Sequence, residues 1–66
     1  MTPHPHIERA CRIFGCTPEQ ARAQYRRNAR SLAALAIRAE RTGDHRHGTP
    51  EYLRRASREY AGIARS

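Results

Sequence analysis

The chain has 66 residues, among them thirteen arginines and no lysine, and its formal net charge is +7 at pH 7. A chain of this length forms one domain at most, with a small hydrophobic core. No apolar run approaches the ~18 residues that a membrane span needs, and the amino terminus lacks the pattern of a signal peptide. We therefore expect a cytoplasmic protein without a membrane partner, in which Cys11 and Cys16 stay reduced.

The arginine content has two explanations. A pI near 11.0 favours a polyanionic partner, and the planar guanidinium group donates paired hydrogen bonds to phosphates and base edges. A GC-rich genome would also replace lysine by arginine, because arginine codons are GC-rich, without any functional cause. The net charge therefore points to an acidic partner more firmly than the absence of lysine does.

The first amphipathic segment predicts a helix over residues 6–14. Its apolar side chains recur at intervals of three and four residues: Ile7, Ala10, Cys11 and Phe14. Gly15 follows at the position of a left-handed helix cap. Residues 1–5, which contain two prolines, are expected to form a flexible lead-in.

The second helix is expected over residues 18–41. Thr17 and Gln20 have the spacing of a capping box, Pro18 suits the first helical position, and Gly43 ends the helix. One side of this helix is apolar: Ala21, Tyr25, Ala29, Leu32, Leu35, Ala36 and Ala39. The opposite side is basic: Arg22, Arg26, Arg27, Arg30, Arg38 and Arg41. This separation is typical of an amphipathic helix with one buried face.

The third helix is expected over residues 50–64, after a polar loop at 42–48. Thr49 and Pro50 repeat the capping chemistry of the second helix. The residues expected to face inward are Tyr52, Leu53, Ala56, Tyr60, Ile63 and Ala64. Those expected to face outward are Arg54, Arg55, Arg58 and Arg65.

Together these segments predict a small all-α protein, with one helical domain over residues 6–66. The long second helix is the spine, and the first and third helices pack against its apolar face. The arginine faces of the second and third helices are then expected to point in different directions. Because the core is small, a homodimer that buries further apolar surface is a second arrangement that the sequence allows.

The segment from Ile7 to Tyr25 resembles the helix-turn-helix of bacterial DNA-binding regulators. Such a motif has a small residue in its first helix, here Cys11, and a glycine in the turn, here Gly15. An apolar residue follows the glycine, here Cys16, and the second helix then packs inward. The resemblance implies that the amino-terminal turns of the second helix enter the major groove of DNA.

Groove-facing positions follow from this resemblance: Thr17, Pro18, Glu19, Arg22, Ala23 and Arg26. Arg22 and Arg26 would contact guanine, and Glu19 would accept a hydrogen bond from cytosine. Arg27 and Arg30 are better placed for phosphates. The expected function is that of a small regulatory nucleic-acid-binding protein, with DNA as the expected partner.

Two other functions remain open. A protein-interaction module or inhibitor, of the kind that small phage or plasmid genes encode, would dock its arginines on an acidic protein surface. Ile37, on the arginine side of the second helix, and Tyr60 would be its anchors. The other hypothesis is a structural role, in which the chain forms a homo-oligomeric helical hairpin and the charge serves only solubility.

Catalysis and metal binding have little support in the sequence. The six acidic residues are scattered, and no nucleophile and base are framed by a glycine-rich loop, so no enzyme activity and no cofactor are expected. Two His-x-His pairs, His4/His6 and His45/His47, accompany two cysteines. Their spacing does not match that of structural zinc ligands, so no metal site is expected.

Overall fold

The computed structural model describes residues 4–66, which form three α-helices and no strand in that part of the chain. Helix α1 spans Pro5–Phe14, α2 spans Pro18–Thr42 and α3 spans Pro50–Arg65. The molecule measures 41 × 20 × 13 Å, and α2 at 25 residues runs along most of its long axis. The predicted all-α architecture, with the second helix as its spine, is confirmed.

Helix α1 begins one residue earlier than the sequence predicted. His4 is its N-cap, where the imidazole accepts a hydrogen bond from the backbone N–H of His6, and Pro5 is the first helical residue. Residues 1–3 of the expected lead-in lie outside the described residues. Gly15 ends the helix at φ 65°, in the left-handed region that glycine adopts without strain.

Helix α2 has the predicted capping box. The Thr17 hydroxyl accepts from the Gln20 backbone N–H at 3.2 Å, and the Gln20 side chain accepts from the Thr17 N–H at 2.9 Å. These two bonds satisfy backbone donors that a helix start leaves unpaired. Gly43 closes the other end with φ 71°, and its N–H donates to the carbonyl of Ala39.

The core lies between α2 and α3, which form an antiparallel hairpin. Ala36, Ala39 and Leu53 are buried together, and Leu32 and Leu35 pack against them. Because alanines line the α2 side of this contact, the two backbones approach closely. Midway along the hairpin, the Ser57 hydroxyl donates to the Ala29 carbonyl at 2.8 Å, so the polar group in this contact is satisfied.

Helix α1 is the more loosely attached element. It packs against α2 over a short stretch, and Ile7 is its only buried residue. The expectation that both outer helices lie along the spine therefore holds fully for α3 and only in part for α1.

Two residues expected to face inward are exposed. Phe14 has 78% of its surface exposed, because it is the last residue of a ten-residue helix and projects beyond the part that α2 covers. Tyr52 is 61% exposed, because it lies about 100° around α3 from Leu53, the residue that faces α2 at this level. Leu53, its neighbour, takes the buried position there.

Candidate nucleic-acid interface

The start of α2 presents two of the predicted contact residues to solvent. Thr17 is exposed, but its hydroxyl already accepts the capping hydrogen bond, so its first task is to hold the helix end. Glu19 lies in the first turn and is exposed. A carboxylate there is stabilised by the positive end of the helix dipole.

Arg26 and Arg30 lie one turn apart on the outside of α2. Both are exposed, and neither side chain makes a hydrogen bond or an ion pair with another of the described residues. Their guanidinium groups therefore keep all their donors available for a partner. Arg27 differs, because its Nη2 donates to Oε1 of Gln24 at 2.7 Å, which holds the side chain along the helix.

Arg22 has a structural contact that the sequence did not reveal. It is half-buried, and its Nε donates to the Ser66 carbonyl oxygen at 2.8 Å, across the hairpin from α2 to the end of α3. This charged donor satisfies a carbonyl at the negative end of the α3 dipole. The two Nη groups remain for an outside contact.

The two proposed protein-binding residues have different surroundings. Tyr60 is half-buried, and its ring packs edge-to-face on Tyr25 with 5.4 Å between the centroids. Tyr60 therefore contributes to packing between α2 and α3. Ile37 is 50% exposed, so it remains available to a partner.

A groove of about 710 Å³ opens where α1, α2 and α3 meet. Its lining combines apolar and polar side chains: Ala10, Phe14, Cys16, Gln20, Ala21, Gln24, Tyr25, Arg27, Asn28 and Tyr60. Phe14 stands at its edge, and Ile13, 60% exposed, lies next to it in the chain. The sequence did not predict this exposed apolar end of α1. Ile13 falls outside the apolar spacing of that helix, and that irregularity was a signal of exposure.

The two cysteines are close neighbours at the helix junction. Both are half-buried free thiols, and Cys16 Sγ lies 3.7 Å from the carbonyl oxygen of Ala10. Partial burial, followed by the hydrogen bond and charge interaction with Cys16, raises the pKa of the Cys11 thiol. A raised pKa leaves less of the nucleophilic thiolate, so Cys11 is not activated as a nucleophile.

The histidines do not assemble a metal site. The rings of His4 and His6 stack with 5.3 Å between their centroids. Within residues 4–66, no group of three or more His, Cys, Asp or Glu side chains is arranged to hold a metal ion.

Comparison with known proteins gives no relative. No protein-family model matches the chain, and neither a curated protein nor a solved structure is similar to it. Among the described helices, none combines the length and apolar character that crossing a membrane requires.

Proposed function

We propose that the protein binds nucleic acid, with duplex DNA as its partner, and acts in the cytoplasm as a small regulator. The observation that carries this proposal is the pair Arg26 and Arg30, exposed on α2 and without an intramolecular partner. The short turn at residues 15–17 between α1 and α2, with its left-handed Gly15, supports a helix-turn-helix-like element. A net charge of +7 supplies the long-range attraction to phosphates.

Each contact residue has a proposed role. The start of α2 enters the major groove, where Arg26 donates to guanine and Glu19 accepts from a base amine. Arg30 and Arg27 donate to phosphates on the groove's edge. Arg22 keeps its bond to Ser66 and offers its Nη groups to the DNA, whereas Thr17 holds the helix end in place.

The test is a binding titration of duplex DNA against the double variant Arg26→Gln/Arg30→Gln at several salt concentrations. We expect a loss of affinity of roughly tenfold to a hundredfold. The slope of log affinity against log salt should be shallower by about 0.9 units, because Arg30 contacts a phosphate and Arg26 contacts a base. A matched control, Arg38→Gln/Arg55→Gln, removes the same charge from two exposed positions on the backs of α2 and α3. The proposal fails if the wild type does not bind any duplex at ~50 mM salt, or if both variants lose affinity equally.

A second candidate function, binding to an acidic protein surface, is favoured by the exposed apolar side chains. Ile37 lies among exposed arginines, and Phe14 with Ile13 forms an apolar end beside the groove. Such residues anchor interfaces when a partner covers them. Capture of one stoichiometric protein by the wild type, but not by Ile37→Ser, would favour this function over DNA binding. If Ile37→Ser captures the partner as well as the wild type does, Ile37 is not part of the protein-binding surface.

A further inference from the structure

We propose that arginines of α3 form a second phosphate-binding row beside that of α2, on one open side of the hairpin. This inference rests on the proposed binding of nucleic acid and adds α3 to the interface. We define the arginine face as the following residues: Arg22, Arg26, Arg30, Arg54, Arg58 and Arg65. The sequence predicted instead that the two helices would turn their arginines apart.

Contacts across the hairpin fix how each helix is rotated. The bond from Ser57 to Ala29 marks the direction in which α2 and α3 face each other. Two charged contacts then lie at the edge of this interface. Arg54 forms an ion pair with Glu40, which joins α3 to α2 near the loop. At the other end of the hairpin, Arg22 donates to the carbonyl oxygen of Ser66.

Helical geometry gives the directions of the α2 arginines relative to this edge. Each residue of an α-helix turns by about 100°, so Arg22 and Glu40, eighteen positions or five turns apart, share one direction. Arg26 lies about 40° beyond Arg22, and Arg30 about 40° further. The α2 row therefore begins with Arg22 at the edge of the interface, and Arg26 and Arg30 lie progressively further from α3. All three lie on the side of the hairpin where Arg54 contacts Glu40 and Arg22 contacts Ser66.

The same geometry places the α3 row. Arg65 lies about 20°, and Arg58 about 40°, beyond Arg54 in the direction away from α2. In an antiparallel pair of right-handed helices, the same sense of rotation away from the interface leads to the same side of the pair. Arg58 and Arg65 therefore lie on the side that carries Arg26. Both are exposed, and neither forms a hydrogen bond or an ion pair with its side chain within residues 4–66.

Helix α1 packs mainly on the other side of the hairpin, although Arg22, at the start of the α2 row, is near enough to Cys11 of α1 for its charge to counter the raised pKa of that thiol. Ala10 and Phe14 of α1 meet Ala21 and Gln24 of α2 around the groove, and these α2 residues lie on the other side of the hairpin from Arg26. Ala33 on α2 and Ala61 on α3 are half-buried on this side, and Ile37, 50% exposed, lies in the α2 row between the directions of Arg26 and Arg30. The acidic residues near the rows are Glu40, which already pairs with Arg54, and Glu19 and Glu51 at the helix starts.

The arrangement fits a duplex better than a flexible acidic chain. Packed helices lie about 8–10 Å apart, and the major groove of B-DNA is about 12 Å wide. When α2 occupies the groove, α3 therefore lies at its edge, next to a phosphate backbone. Arg58 and Arg65 would then contact phosphates without reading the sequence, since backbone contacts fix position and register.

The experiment compares Arg58→Gln/Arg65→Gln with the control Arg38→Gln/Arg55→Gln in a titration of a short duplex by fluorescence anisotropy. Circular dichroism first shows that both variants keep the wild-type helix content. We expect the α3 variant to lose about tenfold in affinity, equally on every duplex sequence. Its salt slope should be shallower than that of the wild type by about 1.8 units. The control, whose side chains lie on the backs of α2 and α3, should change the slope by less than half as much.

Three results would overturn the inference. Equal losses in the α3 variant and the control would show that diffuse charge, not a row, binds the DNA. If the α3 variant keeps its affinity while Arg26→Gln/Arg30→Gln loses it, α3 is not part of the DNA interface. The proposed function would still hold in that case. If the wild type binds polyglutamate as tightly as the duplex, the partner is an acidic protein and not nucleic acid. That result would contradict both proposals.

Discussion

The two sides of the α2–α3 hairpin carry different chemistry. One side receives α1 and contains the groove, with Tyr25 and Tyr60 packed edge-to-face in its wall. The other side is open and presents the arginine face. The same two helices build both sides, so the placement of α1 determines which side a partner can reach. Six of the thirteen arginines therefore lie on one side of the hairpin.

The largest expected effect comes from a change in the core, because unfolding the α2–α3 hairpin destroys both of its sides. Leu53 is 2% exposed and fills the core between the helices. Leu53→Ala should lower the free energy of unfolding by about 2–5 kcal/mol, because it leaves a cavity that alanine neighbours cannot fill. Urea denaturation followed by circular dichroism measures this loss. Tyr52→Ala, at the exposed neighbouring position, should cost much less, and equal costs would contradict the assignment of the core.

A change in α1 should affect one side more than the other. Ile7 is completely buried, so Ile7→Ala should lower the free energy of unfolding by about 2 kcal/mol, at the small end of the range for such losses. The hairpin does not contain Ile7, so duplex affinity measured under conditions where the variant stays folded should change little. Ile13→Ala, at a 60% exposed position, is the control and should be almost neutral. Strong loss of DNA binding in Ile7→Ala would show that α1 belongs to the interface.

A smaller effect is expected at the start of α2. Thr17→Ala removes the hydroxyl that accepts from the Gln20 N–H and should cost about 1 kcal/mol. Thermal unfolding measures this cost against Ser31→Ala, which removes a hydroxyl from an exposed position inside the same helix. Similar unfolding temperatures for the two variants would mean that the capping box contributes nothing measurable.

The smallest effect lies in the loop, away from both sides. Hydrogen bonds from the side chain and backbone of Arg46 lower the pKa of the Asp44 carboxyl below its usual range. The folded pKa is below the unfolded one, so this bond stabilises the fold above the unfolded pKa and is lost as pH falls through the folded pKa. Arg46→Gln should move the Asp44 pKa back up towards its ordinary value. Carboxyl chemical shifts in an NMR titration measure it, and an unchanged pKa would contradict the pairing.

The helices were predictable because their signals are local. Proline, threonine and glycine mark the ends of each helix, and the spacing of apolar residues identifies the faces. The buried positions Ile7, Ala36 and Leu53 follow from that spacing. Local patterns thus predicted the fold closely.

The candidate interface was less predictable because it depends on how helices are rotated against each other. The position of α3 around α2, and hence the shared side of Arg26 and Arg58, appears only with contacts such as Arg54–Glu40. The exposure of Phe14 likewise depends on how far α2 covers the end of α1. The spacing of Phe14 in the sequence of α1 does not show how much of it α2 covers.

The affinity of the wild-type chain for duplex DNA, measured between ~50 and ~200 mM salt, tests the central claim most directly. Phosphate contacts from Arg27, Arg30, Arg58 and Arg65, with a fifth from the Nη groups of Arg22, predict that log affinity falls linearly with log salt. The expected slope is about −4. Absence of binding at ~50 mM salt, or a slope near zero, would contradict the claim that the open side of the hairpin binds nucleic acid.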